Sequence, residues 1–423
     1  MTNRTTNQFA SAERRSYRLG LPALMASLTL AQPACAAWDV YPLASLEAGY
    51  SDNVQLRSKG TEEGGNSITA EGSLVVRNAQ ETSNTTLELT GKQTHFSSIN
   101  LDDATSATLF LHSFKRGERV TYGAVASFDS QTLLRNGVVD LRTGEFLGST
   151  DAILQDGSLS SDISPDPNLD YGVVEESSQR SQIYIAPYSR FTLSERTNLD
   201  FTAEYTGTRY DNKARASGMI ERDTVAGTAQ LSYQLTERNR ISTSVRAGRT
   251  TSENEFDFDQ VNLLLGWNRT ISPNSYWLVE GGIGRAETDE NLKATTTIVR
   301  AEYSTRTPRS RFRAFAERNT YPAGQGDLVV ADRVEAQFRH QLTERWDWRL
   351  IGRGEKTNSD LSGNNSGNYK YLEGETSLAY QLSPNWEISG KYRFRWRDRN
   401  SDPEKATGHA AYVVITYAPR RPF

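Results

Sequence analysis

From residue 41 to residue 418 the side chains alternate in character with a period of two. Lys391, Arg393, Arg395, Arg397 and Arg399 share one parity, and Tyr392, Phe394 and Trp396 share the other. A strand sends successive side chains to opposite faces, so this segment has a cationic face and an aromatic face. On a helix the same residues would spread around the whole circumference. The pattern recurs. Arg333, Glu335, Gln337, Arg339 and Gln341 alternate with Val334, Ala336, Phe338, His340 and Leu342, and Glu373, Glu375, Ser377 and Gln381 alternate with Leu372, Leu378, Tyr380 and Leu382. Val261, Leu263, Leu265 and Trp267 share a parity, as do Ala411, Val413, Ile415 and Tyr417. Several runs extend for about 10–14 residues, beyond the roughly 5–6 of a soluble sandwich strand. That is the length a tilted strand needs to cross a bilayer.

A second regularity sets the strand count. Short polar turns built on Ser or Thr recur at Ser194, Thr236, Ser272, Thr307, Thr343 and Ser383, stepping by 42, 36, 35, 36 and 40 residues. Each step holds one strand out, a longer loop and one strand back. Earlier turns fit at 80–84 and 116–118. Eight hairpin joints and two flanking strands, at 43–50 and 408–417, predict an all-β, antiparallel transmembrane barrel of 18 strands, with 16 as the alternative. An even count is what single-chain bacterial barrels show, and closure is required because lipid offers no partner for an open edge. Both termini then lie on the short-turn, periplasmic side. Trp346, Trp348, Trp386 and Tyr276–Trp277 directly follow short turns and are expected to form an interfacial aromatic girdle.

Hydrophobic residues make up only 36% of the chain and its mean hydropathy is −0.63, which excludes a bundle of apolar membrane helices. Residues 1–36 read as a secretory signal peptide: Arg4, Arg14, Arg15 and Arg18, then a mostly apolar stretch over 19–31, then Ala34 and Ala36 before the cleavage point. A twin-arginine signal at Arg14-Arg15 and lipidation at Cys35 are weaker readings of the same segment. Cleavage would leave residues 37–423 as the barrel. It would also shift the net charge from −4 to −7 and remove Cys35, the only cysteine. A chain without thiols forms no disulfide and no thiolate metal site.

On the strand register the polar face lines the lumen. Arg246, Arg300, Arg311, Arg313, Arg333, Arg339, Arg349, Arg353, Glu373, Glu375, Arg393, Arg395 and Arg397 are the pore-lining candidates. One reading is a set of ion-pair ladders between neighbouring strands. The other is an electrostatic path for anionic or hydroxyl-rich solutes, since rings of Arg select anions and guanidinium forks bind carboxylates. Residues 129–178 form the longest gap in the strand pattern. They carry ten acids (among them Asp129, Asp140 and Asp151) against Arg135 and Arg142, and are expected to be an outward acidic loop that folds over the lumen or lies mobile at its mouth. The four His are dispersed, with His340 on the lipid-facing parity. No nucleophile motif, phosphate loop or metal-spaced pair is present, so neither enzymatic activity nor a cofactor is expected.

The first strand runs Pro42-Leu43-Ala44-Ser45-Leu46-Glu47-Ala48 into Gly49-Tyr50-Ser51-Asp52-Asn53-Val54. This opening resembles the β-barrel porin 2 type of outer-membrane protein, a broad group often tied to exopolysaccharide production. The resemblance implies an outer-membrane channel that exports an exopolysaccharide. The alternatives are a diffusion porin for small anionic solutes and a plugged structural or docking barrel. Partners would be outer-membrane lipid and lipopolysaccharide, the barrel-assembly machinery during biogenesis and, for an exporter, periplasmic polysaccharide-export components. No nucleic acid is expected.

Overall fold

The computed structural model describes residues 38–97, 101–133, 178–211, 219–253, 257–289, 293–322, 328–358, 368–399 and 405–419. The expected signal peptide over 1–36 lies outside these. The described residues form eighteen strands: β1 Trp38–Ser51, β2 Gly65–Ala79, β3 Ser83–Phe96, β4 Ala104–Arg116, β5 Val120–Leu133, β6 Ser178–Ser194, β7 Thr197–Tyr210, β8 Arg222–Thr236, β9 Asn239–Ser252, β10 Phe258–Ser272, β11 Ser275–Thr288, β12 Lys293–Arg306, β13 Ser310–Pro322, β14 Leu328–Gln341, β15 Trp346–Asn358, β16 Tyr369–Ser383, β17 Trp386–Arg399 and β18 Ala406–Tyr417. Each pairs antiparallel with its sequence neighbours, and β1 closes on β18 with Ala44 opposite Tyr417 and Ser51 opposite Ala410. The sheet therefore has no edge, and every strand finds its backbone partners within the wall. The expected count of 18 stands. The first strand starts earlier than the alternation suggests because pairing continues down to Trp38, opposite Asn78.

Local chemistry explains the repeated Ser or Thr in the short turns. The Thr236 Oγ1 accepts from the backbone N–H of Arg238 and Asn239 at 3.3 and 3.1 Å. Thr343 does the same for Arg345 and Trp346, at 3.2 and 3.1 Å. Ser272 accepts from Asn274, and Thr307 from Ser310. Each hydroxyl satisfies N–H groups that the hairpin leaves without a ladder partner.

One face of every strand points outward and is apolar. Leu265, Val225 and Ile283 are among the most exposed large side chains, as a lipid-facing surface requires. At the short-turn end Trp277, Trp346 and Trp386 face out and pack on Tyr303, Tyr380 and Tyr417, with ring centroids 4.8, 4.8 and 5.1 Å apart. These pairs form the girdle. Tyr276 departs from the expectation. Adjacent strand residues take opposite faces, so with Trp277 outward Tyr276 turns into the lumen, where its hydroxyl donates to Glu302 at 2.7 Å. His340 faces outward and bonds Ser310 at 2.7 Å. A closed, apolar-coated barrel of this size is a multi-pass outer-membrane protein.

The lumen wall and the loop folded into its mouth

Cross-strand register places the pore-lining candidates on the inward face. One row runs Glu280, Arg300, Glu317, Arg333, Glu355 across β11–β15. The next runs Glu302, Phe315, Glu335, Arg353, Glu373, Arg395 across β12–β17. Arg311, Arg339 and Arg349 form a third row toward the short turns. Carboxylates are shared. Glu302 accepts from Arg313 at 3.0 Å and Arg300 at 3.3 Å. Glu335, only 4% exposed, sits between Arg333 at 3.2 Å and Arg353 at 3.3 Å, and also accepts from Gln337 at 2.6 Å. Asp347 lies 2.8 Å from Arg339 and 3.7 Å from Arg349. Arg393 pairs with Glu375 at 2.6 Å, and Arg246 with Glu204 at 2.8 Å. The Phe315 ring lies 5.7 Å from the Arg313 guanidinium and 5.2 Å from that of Arg333, close enough for cation–π attraction. Arg397 is buried in the wall opposite Tyr371. The ion-pair-ladder reading thus describes most of these residues, and cations still outnumber carboxylates on the inner face of β12–β17.

The facing half of the wall is built differently. Between β2 and β9 the inward contacts include hydroxyl pairs, Thr69–Thr94 at 2.9 Å, Ser73–Thr90 at 2.8 Å and Thr224–Thr250 at 2.9 Å, beside one-to-one ion pairs such as Arg190–Asp200. His112 bonds Tyr188 at 3.1 Å. Asp129 belongs here too, which corrects its assignment to the acidic loop. It lies in β5 opposite Gln182, accepts from Thr108 at 3.0 Å and sits 3.6 Å from Arg180. Strand pairing continues through Leu133 and resumes at Ser178, since Ser and Gln satisfy a ladder as well as apolar residues do. The remainder of the acidic segment, 134–177, lies outside the described residues.

Loop 1, residues 52–64, is not legible in the sequence as part of the site. It folds inward against β16–β18. Asn53 acts as a staple: its Nδ2 donates to the Arg57 carbonyl at 2.8 Å and the Thr407 carbonyl at 2.9 Å, while its Oδ1 accepts from the Arg57 N–H at 2.8 Å. Arg395 donates to the Asn53 and Val54 carbonyls at 2.9 and 3.2 Å, so its guanidinium holds this loop while keeping its charge. Leu56, at φ 51, is 3% exposed and packs with Tyr371 and Ala406. Gly408 makes room: a Cβ there would stand 3.2 Å from the Asn53 carbonyl and 3.3 Å from Leu56 Cδ1. The signal available in the sequence is an Asp-Asn pair ending a strand, a common turn former, opposite a lone glycine at an inward position. Among the described residues no cluster of His, Cys, Asp and Glu could hold a metal ion.

No family model matches the chain, and no curated protein matches it. Among solved structures the chain is similar to Pseudomonas aeruginosa OccK2 (OpdF) in complex with glucuronate, at 11% identity over 90% of this chain and 98% of that chain, with a TM-score of 0.45. It is also similar to Pseudomonas aeruginosa OccK5 (OpdH), at 12% identity over 90% and 99% with a TM-score of 0.43. A third is Acinetobacter baumannii OccAB4, at 9% identity over 92% and 99% with a TM-score of 0.44. The assignment of this chain as an 18-stranded outer-membrane β-barrel rests on its own closed ladder of strand pairs and its apolar exterior.

Proposed function

We propose that the barrel is a diffusion channel for small anionic, hydroxyl-bearing solutes. The observation that supports this most is the excess of guanidinium over carboxylate charge on the inner face of β12–β17, where Glu302 and Glu335 each serve two Arg. Excess fixed positive charge raises the local concentration of anions and lowers their barrier to passage. Ser and Thr on the facing wall supply exchangeable hydrogen bonds to solute hydroxyls. Binding at each point is weak, which a conducting path requires. Neither the comparisons nor the geometry supports exopolysaccharide export. Loop 1 is fastened across part of the outer mouth, which suits a small solute better than a continuous polymer.

Liposome swelling tests the proposal with three solutes of similar size and different charge: gluconate, sorbitol and N-methylglucamine. The expected order of rates is gluconate, then sorbitol, then N-methylglucamine. Equal rates would remove the charge-based reading, and no swelling with any of the three would favour a plugged barrel.

A further inference from the structure

The outward face of the barrel carries a charged row at the long-loop end. Register places Arg318, Asp332, Lys356, Lys370 and Asp398 side by side across β13–β17. Both acids are engaged by the flanking cations, Asp332 by Arg318 at 3.6 Å and Asp398 by Lys405 at 3.9 Å. The two central lysines are exposed and stand directly opposite each other. Among the described residues no carboxylate lies within 4 Å of either. Like charges opposed across a ladder repel, so an anion placed between them would relieve the pair.

What lies beneath the pair is equally specific. Below Lys356 the next two outward positions on β15 are Gly354 and Gly352, and Gly374 stands opposite Gly352. A Cβ at Gly352 or Gly374 would meet nothing within 4 Å, so the wall is hollow there. A Cβ at Gly354 would stand 3.1 Å from Val334 and 3.8 Å from Leu372, and these two side chains frame the hollow on both sides. Both are well exposed, and Leu350 closes the lower end. On the same face of β15, Lys356 stands roughly 33 Å along the strand from the girdle residue Trp346, at about 3.3 Å of rise per residue. Allowing for strand tilt, this is the outer boundary of the apolar band.

We infer that Lys356 and Lys370 bind the phosphate of a phosphorylated lipid in the outer leaflet, with one acyl chain seated in the hollow over Gly352 and Gly374. Two ammonium groups converge on one anion, and the hollow removes the side chains that would otherwise hold an acyl chain off the wall. A free phosphate would use the lysines alone; only a lipid uses the lysines and the hollow together.

The test uses the folded barrel in detergent micelles, native mass spectrometry and bis-phosphorylated lipid A as probe, with dephosphorylated lipid A and inorganic phosphate as comparisons. The parent is expected to retain lipid A at least tenfold better than the dephosphorylated form. Lys356→Gln with Lys370→Gln should abolish that preference, and Gly374→Leu should weaken retention several-fold. Arg318→Gln, in the same row and bound to Asp332, should change neither. Folding of each variant is checked by heat-modifiable gel mobility, and the exposed Gln variants are expected to fold as the parent does. Equal retention of the two lipids, or full retention by the double Gln variant, overturns the inference. So does complete competition by millimolar inorganic phosphate, which would reduce the site to an anion site without a lipid. None of these readouts depends on whether the channel conducts.

Discussion

The two halves of the lumen wall solve the same problem with different chemistry. On β12–β17 inward positions are held by shared carboxylates between guanidinium groups, as at Glu302 and Glu335. On β2–β9 hydroxyl pairs such as Ser73–Thr90 sit among ion pairs that join one cation to one carboxylate, Arg190 to Asp200 and Arg246 to Glu204. Both satisfy the polar groups that a lumen-facing wall presents. They differ in what remains after pairing. Hydroxyl pairs and one-to-one ion pairs leave no net charge, whereas a guanidinium ladder with too few carboxylates leaves a standing positive potential. Cationic charge is thus most concentrated on the β12–β17 side of the channel, and loop 1 is fastened to that side through Arg395.

The largest test of this contrast is Glu335→Gln. Removing the carboxylate leaves Arg333 and Arg353 facing each other without their common partner, and losing one member of a buried ion pair costs about 3–5 kcal/mol. We expect a fall toward the lower end of that range in urea unfolding of the barrel in lipid vesicles, because the lumen admits some water. A loss no greater than that of a surface substitution would show that the ladder does not hold the wall.

Gly408→Val probes the junction of loop 1 with the charged side without altering any charge. The added Cβ would press on Asn53 and Leu56 and lift the loop. Gln55 is 2% exposed, so a Gln55→Cys reporter should react with a membrane-impermeant maleimide at least tenfold faster when Gly408→Val is also present. Unchanged labelling would mean that the loop is held by something other than this contact. On the facing wall Thr90→Val removes one hydroxyl pair and is expected to cost about 1 kcal/mol in the same unfolding experiment. A cost equal to that of Glu335→Gln would erase the distinction between the walls.

How much of this is legible in the sequence follows from which interactions are periodic. Alternation and turn spacing are properties of every strand, so they carry the barrel, its strand number and the inward parity of Arg333, Arg353 and Arg393. The same parity rule, applied to a dipeptide as a unit, misplaces Tyr276, because only one of two adjacent residues faces the lipid. Asp129 reads as loop because an acid among Ser and Gln looks solvated, while Thr108 and Arg180, which receive it, are distant in sequence. The staple of loop 1 is hidden for the same reason. Asn53 meets Thr407 across the closing seam of the barrel, a contact that no local pattern encodes.

The central claim is that the lumen carries a standing positive potential. Its most direct test is the reversal potential of the folded barrel in a planar bilayer under a tenfold potassium chloride gradient. The account predicts a conducting channel whose reversal potential has the sign of chloride selectivity, and predicts that Arg339→Glu with Arg349→Glu moves it toward potassium. A potassium-selective or unselective parent channel, or a reversal potential unmoved by the double substitution, would contradict it.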